Sequence, residues 1–247
     1  MDVRLRTEPT PGGVNEDFVA AGDGWAVVLD GATQRPGVDS GCAHGPAWLV
    51  RRLGGAVAAR LAVGDGAELA GVLAEAITHV RTLHPGCDLD NPDSPSATAS
   101  IVRWRGTELD WLVLADSPIV LDDGTITVHR DDRADRLPDH SVETVRRLRN
   151  QEGGFWVAAA RPEAAFRALT GTAGNVRRAA LLSDGASRLV EVFGVLTWAG
   201  LLDLLDEAGP AELVRRTRAA EDEDGVVIER GKPRDDATVA YLTASPA

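Results

Sequence analysis

Four short acidic stretches stand at the edges of apolar, strand-like runs, and their carboxylates are the residues in this chain best suited to chemistry. The stretches are Asn15-Glu16-Asp17, Asp30-Gly31, Ser183-Asp184-Gly185 and Asp235-Asp236. Carboxylates at strand ends can converge in a folded protein, where their oxygens suit hard divalent cations such as Mg²⁺ or Mn²⁺. The pattern therefore predicts a metal-dependent hydrolase rather than a passive binding module.

An isolated Asp-Gly pair usually marks a turn, and the chain has such pairs at Asp23-Gly24 and Asp65-Gly66. Asp30-Gly31 and Asp184-Gly185 differ because each follows an apolar run, residues 25–29 and 179–182. Their carboxylates should lie where a buried strand emerges from the core.

The bulk composition limits the classes of partner. The chain has 247 residues, of which 44% are hydrophobic, so it can bury a substantial core. Its 26 basic and 38 acidic residues give a net charge of −12. This charge argues against nucleic acid and anionic membranes as partners, because both would repel an acidic protein.

The cysteines and histidines show no ligand motif. Cys42 and Cys87 belong to no CxxC pattern or Cys/His cluster in the sequence, so we expect small side chains in or near the core. His79 and His84 lie near a predicted helix end, where surface histidines are common.

The expected cellular location is inferred from two features that are not seen in the sequence, a secretion signal and a membrane-spanning segment. The N-terminus is polar, and no apolar run approaches the ~20 residues that span a bilayer. We therefore expect a cytoplasmic protein.

Strand and helix patterns alternate in blocks: strands, two helices, strands, helices and a final strand. The helices are expected at 43–63, 67–83, 141–150, 187–193, 196–207 and 210–223, and residues 151–177 are expected to be irregular. This order predicts an α+β fold with mixed or antiparallel sheets covered by helices. Because the acidic stretches come from both ends of the chain, we expect a single domain spanning residues 1–247.

At this point the sequence resembles the metal-dependent protein phosphatases of the PP2C (PPM) type. The resemblance lies in the order and spacing of motifs along nearly the whole chain: Asn15-Glu16-Asp17, Val28-Leu29-Asp30-Gly31, Ser96-Ala97-Thr98-Ala99, Leu114-Ala115-Asp116-Ser117, Leu182-Ser183-Asp184-Gly185 and Asp235-Asp236-Ala237-Thr238-Val239. Each motif is weak alone, and six in the right order are jointly specific.

The resemblance implies two stacked, mainly antiparallel sheets flanked by helices, in a four-layer αββα sandwich. It implies that Asp30 bridges two Mg²⁺ or Mn²⁺ ions, with the Gly31 carbonyl as a further ligand. It assigns Asp184 and Asp235 to one ion, and Glu16 and Asp17 to direct or water-mediated contacts. Asp116 with Asp184 would support a third, weaker ion.

The implied activity is hydrolysis of phosphoserine or phosphothreonine in a phosphorylated protein. A hydroxide that bridges the two ions would attack phosphorus in line, with Asp30, Asp184 and Asp235 as the catalytic ligand set. The family's mobile flap over the active site falls within residues 131–177. Within it, Phe155-Trp156 is interpreted as a buried aromatic anchor rather than a substrate contact.

Several departures from the family pattern bear on the activity. Gly12 stands where the family usually has an arginine that grips the substrate phosphate, and Arg4, Arg6 or Arg35 are the candidate substitutes. Residues 32–34 lack the glycines of the family motif. Asp236 replaces an asparagine, and this extra carboxylate is expected either to sharpen metal binding or to face solvent.

These departures leave two alternatives beside the protein phosphatase. One is a non-catalytic phosphatase-like module that binds a partner protein. The other is a metal-dependent hydrolase of small phosphoesters, which would share the site but not the substrate.

Overall fold

The computed structural model describes residues 1–223 and 232–244. Its strands are β1 (Asp2–Glu8), β2 (Asp17–Gly22), β3 (Trp25–Asp30), β4 (Ala99–Arg105), β5 (Glu108–Leu114), β6 (Ile119–Asp122), β7 (Ile126–His129), β8 (Leu169–Gly174), β9 (Arg178–Leu182) and β10 (Ala237–Thr243). Its helices are α1 (Pro46–Leu61), α2 (Leu69–Arg81), α3 (Val142–Leu148), a 3₁₀ helix (Pro162–Arg167), α4 (Asp184–Glu191), α5 (Trp198–Glu207) and α6 (Pro210–Glu221).

The strands form two five-stranded sheets in the described part of the chain. One has the order β1-β10-β9-β6-β7 and the other the order β2-β3-β4-β5-β8. Neighbouring strands within both sheets run antiparallel. The predicted α+β fold of two stacked antiparallel sheets flanked by helices is confirmed.

Alternating residues of β3 explain why this strand is apolar throughout. Ala26 and Val28 are buried in a cluster with Leu181 and Leu242 of the other sheet. Val27 and Leu29 are buried on the opposite face, in the cluster that contains the apolar residues of α1 and α2. A strand covered on both faces reads as a continuous apolar run, and its polar end residue marks the edge of the sandwich.

The helices α1 and α2 cover the outer face of the second sheet. Proline at the first position of α1 suits a helix start, and Leu49, Leu53 and Val57 recur at helical spacing on its buried face. The other sheet is covered by α4, α5 and α6, which pack on residues such as Val239 and Tyr241. Within residues 1–223 and 232–244, no helix is both long and apolar enough to cross a membrane.

The expectation of irregular structure over residues 151–177 is wrong in part. This segment contains the 3₁₀ helix and the edge strand β8, whose sequence is LTGTAG. The strand has few apolar side chains because most of its residues are exposed, so the usual burial pattern is missing. Phe155 and Trp156 are buried, as the interpretation as an aromatic anchor requires.

Candidate metal centre

The pairing of β2 with β3 places two carboxylates directly opposite each other. Asp17 begins β2, Asp30 ends β3, and the antiparallel register makes them Cα partners. Like charges in facing positions destabilise a sheet unless something offsets their repulsion. A backbone hydrogen bond holds the two strands together at this edge, because the Gly31 amide donates to the Glu16 carbonyl at 2.9 Å.

The other sheet brings its acidic residues to the same place. Asp184 lies two residues after the end of β9, and Asp235 lies two residues before β10. The pairing of Leu182 with Val239 sets those strand ends side by side. The amide of Asp184, at the start of α4, donates to Asp30 Oδ2 at 3.3 Å. The structure thus joins the two sheets at the predicted site.

Asp116 lies in the turn between β5 and β6, at the same end of the sandwich. Its predecessor Ala115 has a φ of 67°, a left-handed conformation that favours glycine. Such strain costs about 1–3 kcal/mol and often occurs at functional sites. The neighbouring Ser117 hydroxyl lies 2.6 Å from that of Thr98, whose Oγ1 accepts from the Asp30 amide at 3.2 Å.

Burial raises the pKa of Asp30 well above its ordinary range, and the neighbouring carboxylates raise it further. The groups that repel it are Asp184, Asp17, Asp235 and Asp116. Five carboxylates from both sheets are therefore close enough to resist ionising together.

Asp17 and Asp184 show the same effect. Burial, with repulsion from Asp236 and Asp184, raises the pKa of Asp17 to about 7, although the hydroxyls of Thr238 and Ser183 act in the opposite direction. Desolvation, then repulsion from Asp235 and Asp116, raises the pKa of Asp184 to about 6. Asp184 is exposed at the mouth of the site.

These residues fit a divalent cation. Asp17 Oδ2 is buried and has no hydrogen-bond partner, so it is a donor atom available for a ligand. The donor set consists of carboxylate and carbonyl oxygens, which Mg²⁺ and Mn²⁺ prefer. A cation would offset the repulsion that the raised pKa values express.

Lys232 is a feature of the site that sequence reasoning missed. It is the one lysine in the 247-residue chain, and its Nζ lies 2.7 Å from Asp235 Oδ1. It also donates to Thr33 Oγ1 at 2.5 Å, and Thr33 in turn donates to Glu16. The position of Lys232 in the sequence does not indicate a role at the site. The fold nevertheless places its ammonium group among the carboxylates.

Asp236 does not face solvent, so that expectation for it is wrong. It is buried, and its two oxygens accept from the backbone amides of Thr10 and Glu16, each at 2.6 Å. The carboxylate therefore fixes the loop that carries Glu16 and Asp17. Asparagine has one fewer acceptor oxygen and could not accept both bonds in the same way.

The two Asp-Gly pairs at strand ends differ from the turns as predicted. A Cβ at Gly185 would lie 1.9 Å from the Asp236 carbonyl oxygen, and one at Gly31 would lie 2.6 Å from the Glu16 carbonyl oxygen. Gly24 and Gly66 instead adopt positive φ angles of 79° and 76° in turns. Close backbone approach, not turn geometry, requires glycine at the site.

The candidate phosphate-gripping arginines are placed differently. Arg4 contacts Asp206, and Arg6 Nη2 lies 2.7 Å from Glu8 Oε2. Arg35 is exposed and lines a cavity with Ala32 and Thr33, directly after the Asp30-Gly31 pair. Its Nη2 donates to the His140 carbonyl oxygen at 3.2 Å, so of the three candidates Arg35 is the one whose neighbours in the chain adjoin the Asp30-Gly31 pair.

Gly12 reflects a local backbone requirement. Its φ is 79°, within a turn closed by the Gly13 amide donating to the Thr10 carbonyl at 2.8 Å. An arginine at this position would be strained, which gives a reason for the glycine found there.

The raised pKa values predict how stability depends on pH. A carboxyl whose pKa is raised in the folded state stabilises the protein below its unfolded pKa, and that stability is lost as pH rises through the folded pKa. Between pH 5 and 7.5, the free energy of unfolding without divalent cations should fall by roughly 3 kcal/mol, at ~1.4 kcal/mol per pKa unit. Urea melts at each pH measure it.

Two controls accompany this prediction. Saturating Mn²⁺ should reverse the slope, because a cation competes with protons for the same oxygens. Asp17→Asn should flatten the slope, since its pKa of about 7 sets the upper part of the window. Stability that rises with pH in the cation-free protein would contradict the arrangement.

Comparisons with known proteins agree with the geometry. A family model described as protein phosphatase 2C matches residues 11–225. The PPM Ser-Thr phosphatase MsPP from Mycobacterium smegmatis, solved with cacodylate, has a TM-score of 0.62 at 20% identity, over 98% of each chain. The serine/threonine phosphatase Stp1 from Staphylococcus aureus has a TM-score of 0.63 at 11% identity, over 99% of this chain and 95% of that one.

A further solved structure is the catalytic domain of the serine threonine protein phosphatase PstP in complex with two manganese ions. Its TM-score is 0.56 at 18% identity, over 97% of this chain and 96% of that chain. No curated protein matches in sequence. At these identities the solved structures show a shared fold, whereas the family model spans most of the sequence. The chain belongs to the protein phosphatase 2C family.

Proposed function

We propose that the protein is a Mg²⁺- or Mn²⁺-dependent phosphatase that hydrolyses phosphoserine or phosphothreonine in proteins. The observation that carries the proposal is the convergence of Asp17 and Asp30 from one sheet with Asp184 and Asp235 from the other. Membership of the protein phosphatase 2C family supports it, and so does the fold shared with PstP, which was solved with two manganese ions.

The proposed ligand roles are those that the resemblance to the family implies. Asp30, which neighbours every other carboxylate of the set, would be shared between two ions, with the Gly31 carbonyl beside it. Asp184 and Asp235 would hold one of these ions, and Glu16 and Asp17 would bind metal directly or hold metal-bound waters. Asp116 would support a third ion with Asp184. Bound divalent cations lower the pKa of coordinated water and offset phosphoryl charge, so that water can attack phosphorus in line.

The chain's own cations would orient the substrate phosphate. We infer that Lys232 and Arg35 serve this purpose in place of the arginine that Gly12 replaces. Lys232 contacts Asp235 and Thr33. Thr33 and Arg35 line one cavity. A lysine acts as a compact point charge, whereas an arginine can bind two phosphate oxygens at once.

Residues 131–177 would form part of the substrate cleft within a single domain spanning residues 1–247. Val142, Val145 and Arg149 of this segment line the cavity that Ala32 and Thr33 also line. Two segments distant in sequence therefore wall this cavity. We place the activity in the cytoplasm, against phosphorylated proteins.

One observation favours a second function, that of a phosphatase-like module without turnover. The positive φ of Gly12 disfavours an arginine at the position where the family usually has its phosphate-gripping one. Such a module would take up cations and bind a partner protein without hydrolysis.

A turnover assay tests the proposal. The protein should hydrolyse a phosphothreonine peptide only when Mn²⁺ or Mg²⁺ is added, and Asp235→Asn should reduce the rate by roughly 100-fold or more through loss of a ligand. Asp23→Asn, in an exposed turn, is the matched control and should leave the rate unchanged.

Calorimetric titration with Mn²⁺ separates the alternatives. Cation uptake without turnover on the phosphopeptide or on p-nitrophenyl phosphate would support the binding module. Turnover of p-nitrophenyl phosphate alone would support a small-phosphoester hydrolase. Full activity of Asp235→Asn would contradict the mechanism.

A further inference from the structure

Cys42, His44, His84 and Cys87 meet in a cluster that neither the proposed activity nor the family motifs use. Their ligand atoms all lie within 4.8 Å of one another. The expectation that the cysteines lie outside any Cys/His cluster is therefore wrong in three dimensions. His84 is also buried, at 9% exposure, instead of lying on the surface.

The distances suit a tetrahedral ion. Cys42 Sγ lies 3.5 Å from His44 Nδ1 and 3.3 Å from His84 Nδ1, and Cys87 Sγ lies 3.5 Å from His44 Nδ1. Zinc bonded to sulfur at about 2.3 Å and to nitrogen at about 2.0–2.1 Å would separate sulfur and nitrogen ligands by roughly 3.6 Å. The four atoms need only small movements to surround one ion.

A disulfide explains the cluster less well. Both cysteines are free, and their sulfur atoms lie 3.1 Å apart, about 1 Å beyond the length of an S–S bond. A disulfide would also give no reason for two imidazole nitrogens to approach the same point.

The surroundings hold the ligands in place. The His44 amide lies 3.4 Å from Cys42 Sγ and donates to it, as backbone amides do to metal-bound thiolates. The His44 ring stacks on Trp48 at a centroid distance of 4.0 Å, and Trp48 also meets the His84 ring edge-on at 4.6 Å. These contacts orient both imidazoles, the role that outer partners play at structural metal sites.

The position of the cluster in the fold gives it a purpose. Cys42 and His44 lie just before α1, and His84 and Cys87 lie just after α2, so the cluster joins the two ends of this helical hairpin. Two further bonds join the same loops: the Asp88 amide donates to the Gly41 carbonyl at 2.8 Å, and Asn91 Nδ2 donates to the Asp39 carbonyl at 3.0 Å.

The two loops also flank the acidic site. The first begins after Gly31, and the second leads through Ser94 and Pro95 into β4; both contribute residues to the cleft proposed for substrate. A tie between the loops would therefore fix the walls of that cleft.

We propose that Cys42, His44, His84 and Cys87 form a closed structural zinc site that cross-links the loops before α1 and after α2. Two thiolates and two imidazoles select Zn²⁺ over Mg²⁺ and Mn²⁺, whereas the aspartate set has only oxygen donors. Among the described residues, the oxygen atoms of the aspartates do not lie as close to one another as the ligand atoms of this cluster. A wider arrangement is what two ions ~3.5–4 Å apart require. The two sites thus take different metals.

Metal analysis of the full chain tests the site. Protein purified under reducing conditions should contain about one zinc per chain by mass spectrometry of the metal. Cys42→Ser and His84→Asn should lose at least 90% of it. His79→Asn, a histidine in the last turn of α2 and outside the cluster, is the matched control and should keep it. Asp30→Asn should keep it as well, which separates this site from the acidic one.

A second measurement uses the wild-type chain, so it does not depend on the folding of a variant. Metal-free protein titrated with Co²⁺ should reach an endpoint at one equivalent, with visible absorption bands typical of tetrahedral coordination and thiolate charge-transfer bands in the near ultraviolet. Adding Zn²⁺ should remove these bands and protect both thiols from a thiol reagent. Zinc should also raise the Tm by at least ~5 °C.

Several results would overturn the proposal. They are zinc content near zero together with an octahedral Co²⁺ spectrum, undiminished zinc in both cluster variants, or a Cys42–Cys87 disulfide in protein purified under reducing conditions. Loss of zinc in Asp30→Asn would assign the bound metal to the acidic site and equally reject the cluster.

Discussion

Asp30→Asn will lower Mn²⁺-dependent phosphopeptide hydrolysis by roughly 1,000-fold or more, since a ligand shared by two ions supplies several kcal/mol of transition-state stabilisation. The same change will stabilise the metal-free protein at pH 7.5, because it removes a carboxyl whose pKa burial and four neighbouring carboxylates raise well above the ordinary range. Steady-state assays and urea melts measure the two effects.

The opposite signs make this test selective. A variant that only misfolds would lose activity and stability together, whereas loss of a ligand predicts lower activity with higher cation-free stability. Asp23→Asn is the control, since Asp23 lies in an exposed turn. Activity of Asp30→Asn within threefold of the wild type would reject the shared-ligand role.

Gly185→Ala should destabilise the protein by about 2–4 kcal/mol, as overpacking against rigid backbone does. The added Cβ would lie 1.9 Å from the Asp236 carbonyl oxygen, so the start of α4 must move away from the residues that precede β10. That movement would separate Asp184 from Asp235 and weaken Mn²⁺ binding. Thermal melts and calorimetric titration give the two values.

Gly55→Ala is the matched control for this prediction. Gly55 lies inside α1, and a Cβ there would meet nothing within 4 Å. Alanine is the better helix former by about 0.5–1 kcal/mol, so this variant should be slightly more stable. If Gly185→Ala behaved like Gly55→Ala, the close packing at the metal centre would be disproved.

Much of this arrangement could be predicted from the sequence because buried strands and helices have recognisable patterns of apolar residues. Strand β3 is covered on both faces, so its residues are all apolar until Asp30 marks the edge. The same logic distinguished Asp184-Gly185 from Asp-Gly turns. Carboxylates that follow buried strands were placed at one end of the sandwich because antiparallel pairing brings the start of one strand beside the end of the next.

Other features show no such pattern of apolar residues in the sequence. Strand β8 is an exposed edge whose hydrogen bonds come from its backbone, so its side chains show little pattern. Cys42 and Cys87 are ordinary by spacing and meet because the α1–α2 hairpin returns the chain to its starting point. The contact of Lys232 with Asp235 and the two amide bonds of Asp236 likewise depend on tertiary geometry.

The facing pair Asp17 and Asp30 belongs to one sheet, while Asp184 and Asp235 adjoin the other. Any cation held among them would therefore also link the two sheets, in addition to the apolar residues buried between them. Selection for stability would preserve these aspartates even in a related protein that no longer hydrolysed phosphoesters. The presence of these aspartates alone is thus explained by a structural role, and a turnover assay is the measurement that demonstrates catalysis.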